Sequence, residues 1–265
     1  MRRSVRFVYI LLLLVLLGIV GVVRGQESAS TDAVPPSPAA IIDEGGDDIR
    51  NYVLLGSDNA HPTNIGRTDV MVVVSVNLSA QTIAMLSLPR DLYVYVPEYG
   101  MNKINTVFAY GESGDASTGY TLLQETILYN LGITIDGYAR VNFAGFRDII
   151  DALGGITIAV DCGIQDWRLK EPDLDPNDET NWELVTLPIG MHVLDGNSAL
   201  WYLRSRRTSS DFDRGRRHQI ILRAVLHRIQ EAGLLSQLAQ LWQQTTEIVE
   251  TNISLDEMLL LIPVG

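Results

Sequence analysis

The chain has 265 residues, 46% of them apolar, and a formal net charge of −12, enough for one large domain or two small ones with a sizeable core. Its single cysteine, Cys162, excludes an internal disulfide framework and a cysteine-cluster zinc site, and its four histidines (His61, His192, His218, His227) are not at paired ligand spacing. The first 24 residues carry four arginines and no acid, which leaves −16 on the remainder and opposes binding to a nucleic-acid backbone.

Arg2, Arg3 and Arg6 precede an uncharged run over residues 7–23. That run is about the minimum for a membrane span and exceeds the ~7–15-residue core of a cleaved signal. The leading arginines favour a cytoplasmic N-terminus. The expectation is a single-pass anchor over residues 1–24, with everything after it extracytoplasmic. A cleaved signal is the alternative, and it exports the domain equally. Residues 25–49 read as a flexible linker: Ser, Ala, Thr and Pro to Pro38, then acids with two glycines, too little apolar surface to fold.

The folded domain is expected over residues 50–265. Strands are predicted at 52–57, 70–77, 82–88, 92–96, 135–142 and 156–160, with a hairpin turn at 77–81. Helices are predicted at 105–110, 120–130, 143–153, 196–206, 213–232, 234–250 and 255–262, the third of them closed by Gly154-Gly155. Residues 161–183 read as a polar, acidic excursion. Strands mixed with helices imply an α/β domain with a sheet between helical layers.

Positive charge is concentrated between Arg204 and Gln219. Arg204, Arg206, Arg207, Arg214, Arg216 and Arg217 all fall there. Guanidinium forks match phosphate oxygens in pairs. Arg204 and Arg206 stand at a helix end. Arg214 and Arg217 share a face of the next helix, whose start Asp211 or Asp213 is expected to cap. Free N–H groups at that start also suit an anion. Upstream, Asp58 follows a strand and Asp69 precedes one. Two carboxylates at one sheet edge, beside a phosphate, suit Mg²⁺, although both residues are equally ordinary as turn caps. Arg90 in Leu-Pro-Arg-Asp and Lys103 in Lys-Ile-Asn complete the charged set. Asp173-Leu-Asp175-Pro-Asn177 begins like a calcium loop, but Asp178 and Leu184 stand where the turn-forming Gly and the closing Glu belong.

Taken in order, seven blocks resemble the LytR-CpsA-Psr family over residues 50–233. They are Leu-Gly-Ser-Asp, Arg-Thr-Asp, Leu-Pro-Arg-Asp, Lys-Ile-Asn, Asp-Ala-Leu-Gly-Gly, Leu-Asp-Gly-x-x-Ala-Leu-x-Tyr-x-Arg-x-Arg and Asp-Phe-x-Arg-x-x-Arg. The resemblance implies a three-layer α/β/α sandwich with a mixed central sheet and a hydrophobic pocket for a lipid tail. It implies a Mg²⁺-dependent phosphotransferase that moves a glycopolymer, such as teichoic acid or capsule, from a polyprenyl-pyrophosphate carrier onto peptidoglycan. The membrane is then a partner and nucleic acid is not.

Carried over residue by residue, the family pattern makes Asp58 and Asp69 the metal carboxylates. Arg67, Arg90, Arg204, Arg206, Arg214 and Arg217 become pyrophosphate ligands, with Lys103 and Gln219 beside them. Asp69, Arg67 and Arg90 are the catalytic candidates, Asp69 as base. One departure stands out: where the family commonly has Arg-Gln, this chain has Arg217-His218-Gln219. A hydrolase on the same site remains the nearer alternative, and a membrane-bound regulator the more distant one.

Overall fold

A computed structural model describes residues 35–57, 67–112, 116–171, 174–207, 210–233 and 248–261. The expected anchor, the linker up to residue 34, Asp58 and most of the 234–250 helix lie outside the described residues. No described helix is long and apolar enough to cross a membrane.

The central sheet has five strands in the order β11-β6-β1-β2-β3. β1 (Ile49–Ser57) pairs antiparallel with β2 (Thr68–Asn77), and β2 pairs antiparallel with β3 (Thr82–Ser87). On its other side β1 runs parallel to β6 (Gly137–Asn142), and β6 is flanked by the short antiparallel β11 (Val249–Thr251). The sheet is therefore mixed. β2 begins at Thr68, two residues ahead of its Val-rich run and of the predicted start at 70.

Helices cover both faces. On the first, Val53, Leu55, Met71 and Val73 pack against α1 (Val107–Glu112), α2 (Ala116–Leu131) and the β4 (Tyr93–Val96) and β5 (Gly100–Lys103) hairpin. On the second lie α3 (Phe143–Ala152), α4 (Gly196–Arg204) and α5 (Asp211–Glu231). Their cluster of Ile150, Ala199, Trp201, Tyr202 and Ile221 closes over the hairpin of β7 (Ile156–Val160) and β10 (Gly190–Leu194). These helices are tied at their ends. Asp151 Oδ1 accepts from Gly196 N at 2.7 Å, and Arg228 Nε donates to Leu153 O at 2.8 Å. Gly196 is required there: a Cβ would lie 2.5 Å from Arg147 O.

Several expectations are corrected. The acidic excursion belongs to a further antiparallel hairpin, β8 (Ile164–Leu169) with β9 (Trp182–Leu187). Its aspartates serve turns: Asp175 Oδ1 accepts from Asn177 N, and Asp178 caps a short 3₁₀ turn at Glu179–Asn181. The end of the predicted 234–250 helix is strand β11. The N-cap of α5 is Ser210, in a reciprocal capping box with Asp213. The linker is shorter than 25–49, because Ala39 N donates to Tyr129 O and Ile42 N to Gly132 O, which fastens the chain to α2. Finally, α6 (Leu255–Leu261) packs through Met258 and Leu261 against Tyr52 and Ile253.

Candidate active site

A cleft of about 120 Å³ opens between the sheet and the second helical layer. Its floor follows from strand register. Leu54 pairs with Val72, and Gly56 with Val70 and Val141, so these side chains share one face. The walls follow from helical spacing: Phe143 and Phe146 on α3, Leu200 and Leu203 on α4, His218 and Leu222 on α5. Apolar residues thus form the body. The charged lining is Asp69, Arg204, Arg206 and Arg214.

Asp69 reaches the cleft through an irregularity. The pairing shifts between Gly56 and Ser57, so Ser57 stands opposite Thr68 and Asp69 is left without a partner residue in the register. Strict alternation would turn Asp69 away from Val70, whereas the bulge lets both line the cleft. Arg90 Nη1 donates to Asp69 Oδ1 at 2.7 Å. Arg90 also faces Asp91 at 3.3 Å, and Lys103 Nζ donates to Asp91 at 2.6 Å. A chain of alternating charges therefore leads from Lys103 to the cleft mouth. Lys103 holds the Asp91 carboxyl below its usual range, with smaller help from Arg90.

The arginines separate into groups. Arg204 lies over the Phe143 ring at 4.6 Å and lines the cleft. Arg206 and Arg214 line the cleft beside it. Arg217 is buried between α5 and α4. It donates to Tyr202 O and, at 2.7 Å, to Ser205 O, and stacks over Tyr202 at 5.5 Å. Burial, followed by the neighbouring Arg214, lowers the pKa of its guanidinium. Arg216 turns outward to pair with Asp161. Arg67 is exposed just ahead of β2.

Gln219 takes neither an arginine nor the cleft as neighbour. Its Nε2 donates to Met85 O at 3.3 Å and Ser87 Oγ at 3.2 Å, while Ser87 Oγ donates to Gly215 O. That face of α5 docks on β3. His218 stands in the cleft instead, and is the residue sequence reading left aside. Its signal was the spacing: four residues after Arg214, it shares that face. Burial pushes its imidazole down to about 4, Arg214 and Arg217 add to the shift, and Asp69 opposes it. At neutral pH it is an uncharged donor and acceptor.

The donor set at the mouth is compatible with Mg²⁺. Asp69 supplies a hard carboxylate oxygen, and β1 ends immediately before Asp58, which lies outside the described residues. Mg²⁺ commonly takes one or two protein carboxylates and completes its shell with water and phosphate oxygens.

The layers of helix, mixed sheet and helix define an α/β/α domain, with a mostly apolar cleft that also carries three arginines and Asp69. The chain belongs to the LytR_cpsA_psr family, whose sequence profile matches residues 23–262. It is 30% identical over 222 residues to the polyisoprenyl-teichoic acid–peptidoglycan teichoic acid transferase TagT of Bacillus subtilis (strain 168), covering 82% of this chain and 64% of that protein. It is 29% identical to the transferase of the same description TagV from the same strain, over 98% of this chain and 67% of TagV. The chain thus spans just under two thirds of TagT. Among solved structures it superposes on B. subtilis TagV with a TM-score of 0.64, at 28% identity, covering 82% of this chain and 79% of that one. It superposes on TagT bound to LI-WTA with a TM-score of 0.61, at 28% identity, covering 88% and 81%.

Proposed function

We propose that this protein transfers a glycopolymer from a polyprenyl-pyrophosphate carrier to peptidoglycan, forming a phosphodiester. The observation that carries the reading is the cleft itself: a mostly apolar lining that also carries Arg204, Arg206, Arg214 and Asp69. A lipid pyrophosphate has that same division. The names of the relatives, teichoic acid transferases, supply the substrate class. An anchor over residues 7–23, expected from the sequence, would hold the domain on the outer side of the membrane, where carrier and peptidoglycan meet.

In this reading the lipid tail enters between the sheet and α3, α4 and α5. Arg204, Arg206 and Arg214 hold the pyrophosphate, with Arg67 and Arg90 at the sheet edge and Lys103 behind them. Asp58 and Asp69 would hold Mg²⁺, which would neutralise phosphate charge when bound. An acceptor sugar hydroxyl attacks the glycan-bearing phosphorus. The new P–O bond forms as the bridging P–O bond breaks, and polyprenyl phosphate departs. Asp69 receives the hydroxyl proton, while Arg90 keeps that carboxylate in place. Positioning and charge neutralisation supply the acceleration, and no covalent intermediate with the protein is needed. Arg217 fixes the α4–α5 junction, and Gln219 fixes α5 on β3.

The test is transfer of a labelled polyprenyl-pyrophosphate glycan to peptidoglycan, with and without Mg²⁺, for the wild type and Asp69→Ala. Metal-dependent transfer lost in the variant supports the reading. Release of free glycan phosphate without peptidoglycan attachment would identify a hydrolase instead.

A further inference from the structure

Arg204 and Arg206 flank the turn that leaves α4, and nothing in regular helix geometry sets where that turn points. Ser205 ends the helix with extended backbone, φ −56° and ψ 133°. The turn is held from outside the cleft. Asp166 Oδ2, on the β8–β9 hairpin, accepts from Arg206 N at 2.7 Å, Ser205 Oγ at 2.9 Å and Arg207 N at 3.1 Å. Its other oxygen accepts from Trp167 N at 2.8 Å. We propose that Asp166 is a positioning residue of the anion site, fixing the Ser205–Arg207 turn so that Arg204 and Arg206 face the cleft.

The hairpin is built to serve as such a support. Trp201 Nε1, in the last turns of α4, donates to Trp167 O at 3.2 Å. Arg168 pairs with Glu183 across the hairpin at 2.7 Å and donates to Ser198 Oγ of α4 at 3.3 Å. From the opposite side Arg217 donates to Ser205 O at 2.7 Å. The turn is therefore gripped between a carboxylate that takes its N–H groups and a guanidinium that takes its carbonyl. Burial alone would raise the Asp166 carboxyl, but the N–H groups of Arg206 and Arg207, the Ser205 hydroxyl and Trp167 N–H together hold it below its usual range. Asparagine cannot replace it: one oxygen becomes an NH₂ that donates, where Arg206 N, Arg207 N and Trp167 N are donors only. The acidic excursion thus has a task in this chain, although Asp166 does not itself touch the cleft.

The proposal rests on reading Arg204 and Arg206 as phosphate ligands. It is tested on the full chain with farnesyl pyrophosphate as the binding probe, alongside the transfer assay. Asp166→Asn is expected to weaken farnesyl pyrophosphate binding about tenfold, the scale of one hydrogen bond to a charged group. The gentler Ser205→Ala, which removes one of the three bonds to Oδ2, should lose less. The deciding measurement is a double-mutant cycle. In an Arg204→Ala/Arg206→Ala background, Asp166→Asn should cost little more. In an Arg214→Ala background its full loss should remain, since that arginine is set by α5. Losses that simply multiply with the Arg204→Ala/Arg206→Ala pair, or folded Asp166→Asn and Ser205→Ala proteins that bind as the wild type does, overturn the positioning role. Failure of the wild type to bind the probe overturns both this role and the phosphate-ligand reading. Intact, Asp166-dependent binding with no glycan transfer supports the role and overturns only the transfer reaction.

Discussion

Arginines within fourteen residues of one another are expected to answer differently to substitution, because their guanidiniums meet different surroundings. Arg204→Lys keeps the charge but loses the fork and the planar stack on Phe143, and should cost transfer roughly 1.5–3 kcal/mol in apparent barrier. Arg217→Lys cannot reach both Tyr202 O and Ser205 O, so its first effect should be a lower Tm. Arg207→Ala and Arg216→Ala should leave transfer nearly unchanged, since Arg216 is spent on an exposed, solvent-screened pair with Asp161. Kinetics and melting of the four variants check this; equal small losses at every arginine would refute the division. His218 gives a pH signature. Unfolded, it titrates near 6.5, and folded near 4, so between these values the unfolded chain binds the extra proton. Stability should therefore fall with pH through that window, by about 3 kcal/mol from this group at pH 4, and His218→Gln should remove that component. Urea melts of both proteins from pH 7 to 4 measure the difference, and parallel curves would contradict the buried neutral imidazole.

At the scale of elements, the cleft depends on three helices standing off the sheet. Leu222→Trp should fill its body while sparing the charged mouth. Each CH₂ kept from apolar surroundings costs about 0.8 kcal/mol, so excluding two should weaken a polyprenyl pyrophosphate about tenfold. Inorganic pyrophosphate should compete as it does for the wild type; equal loss for both ligands would place the lipid elsewhere. The apolar walls were legible in part. The 143–153 and 219–229 segments border the cleft, whereas 120–130, equally rich in Leu and Ile, packs on the opposite face of the sheet. Amphipathic spacing tells that a helix is covered, not by which side of the sheet. Strands β1, β2 and β3 were visible because Val and Leu run through them, and α4 and α5 because their caps and apolar periods agree. The β5, β8 and β9 strands escaped for lack of such a signal: Gly100-Met-Asn-Lys103 has no strand-forming run, and the acids between Trp167 and Trp182 made a hairpin look like solvent-exposed chain. In the site, the local offset that turns Asp69 toward Val70 leaves no mark in composition, and Arg217 could be told from Arg214 only by knowing where α4 lies.

For the molecule as a whole, the division of labour between tether and domain is open to a direct test. The chain separates into Met1–Pro36 and Ser37–Gly265, and the core, the cleft and the hydrogen bonds of Ala39 and Ile42 to α2 belong to the second unit. A protein beginning at Ser37 should therefore keep its Tm, because no buried cluster loses a member. It should also bind farnesyl pyrophosphate as tightly as the full chain, because every lining residue remains. Its solubility and its activity should change. The 7–23 run is expected to hold the full chain in the bilayer, and a short tether gives an effective concentration on the order of millimolar toward anything confined to the same surface. Released, the domain meets a membrane-embedded carrier only from bulk solution. Transfer from carrier in vesicles should then fall steeply at micromolar protein and recover as protein concentration rises, while transfer from carrier dispersed in detergent should not change. Sedimentation with membranes, melting, and transfer in the two formats check each part. A fall in detergent equal to that in vesicles would mean that residues 1–36 contribute to the site itself and do more than hold it at the membrane.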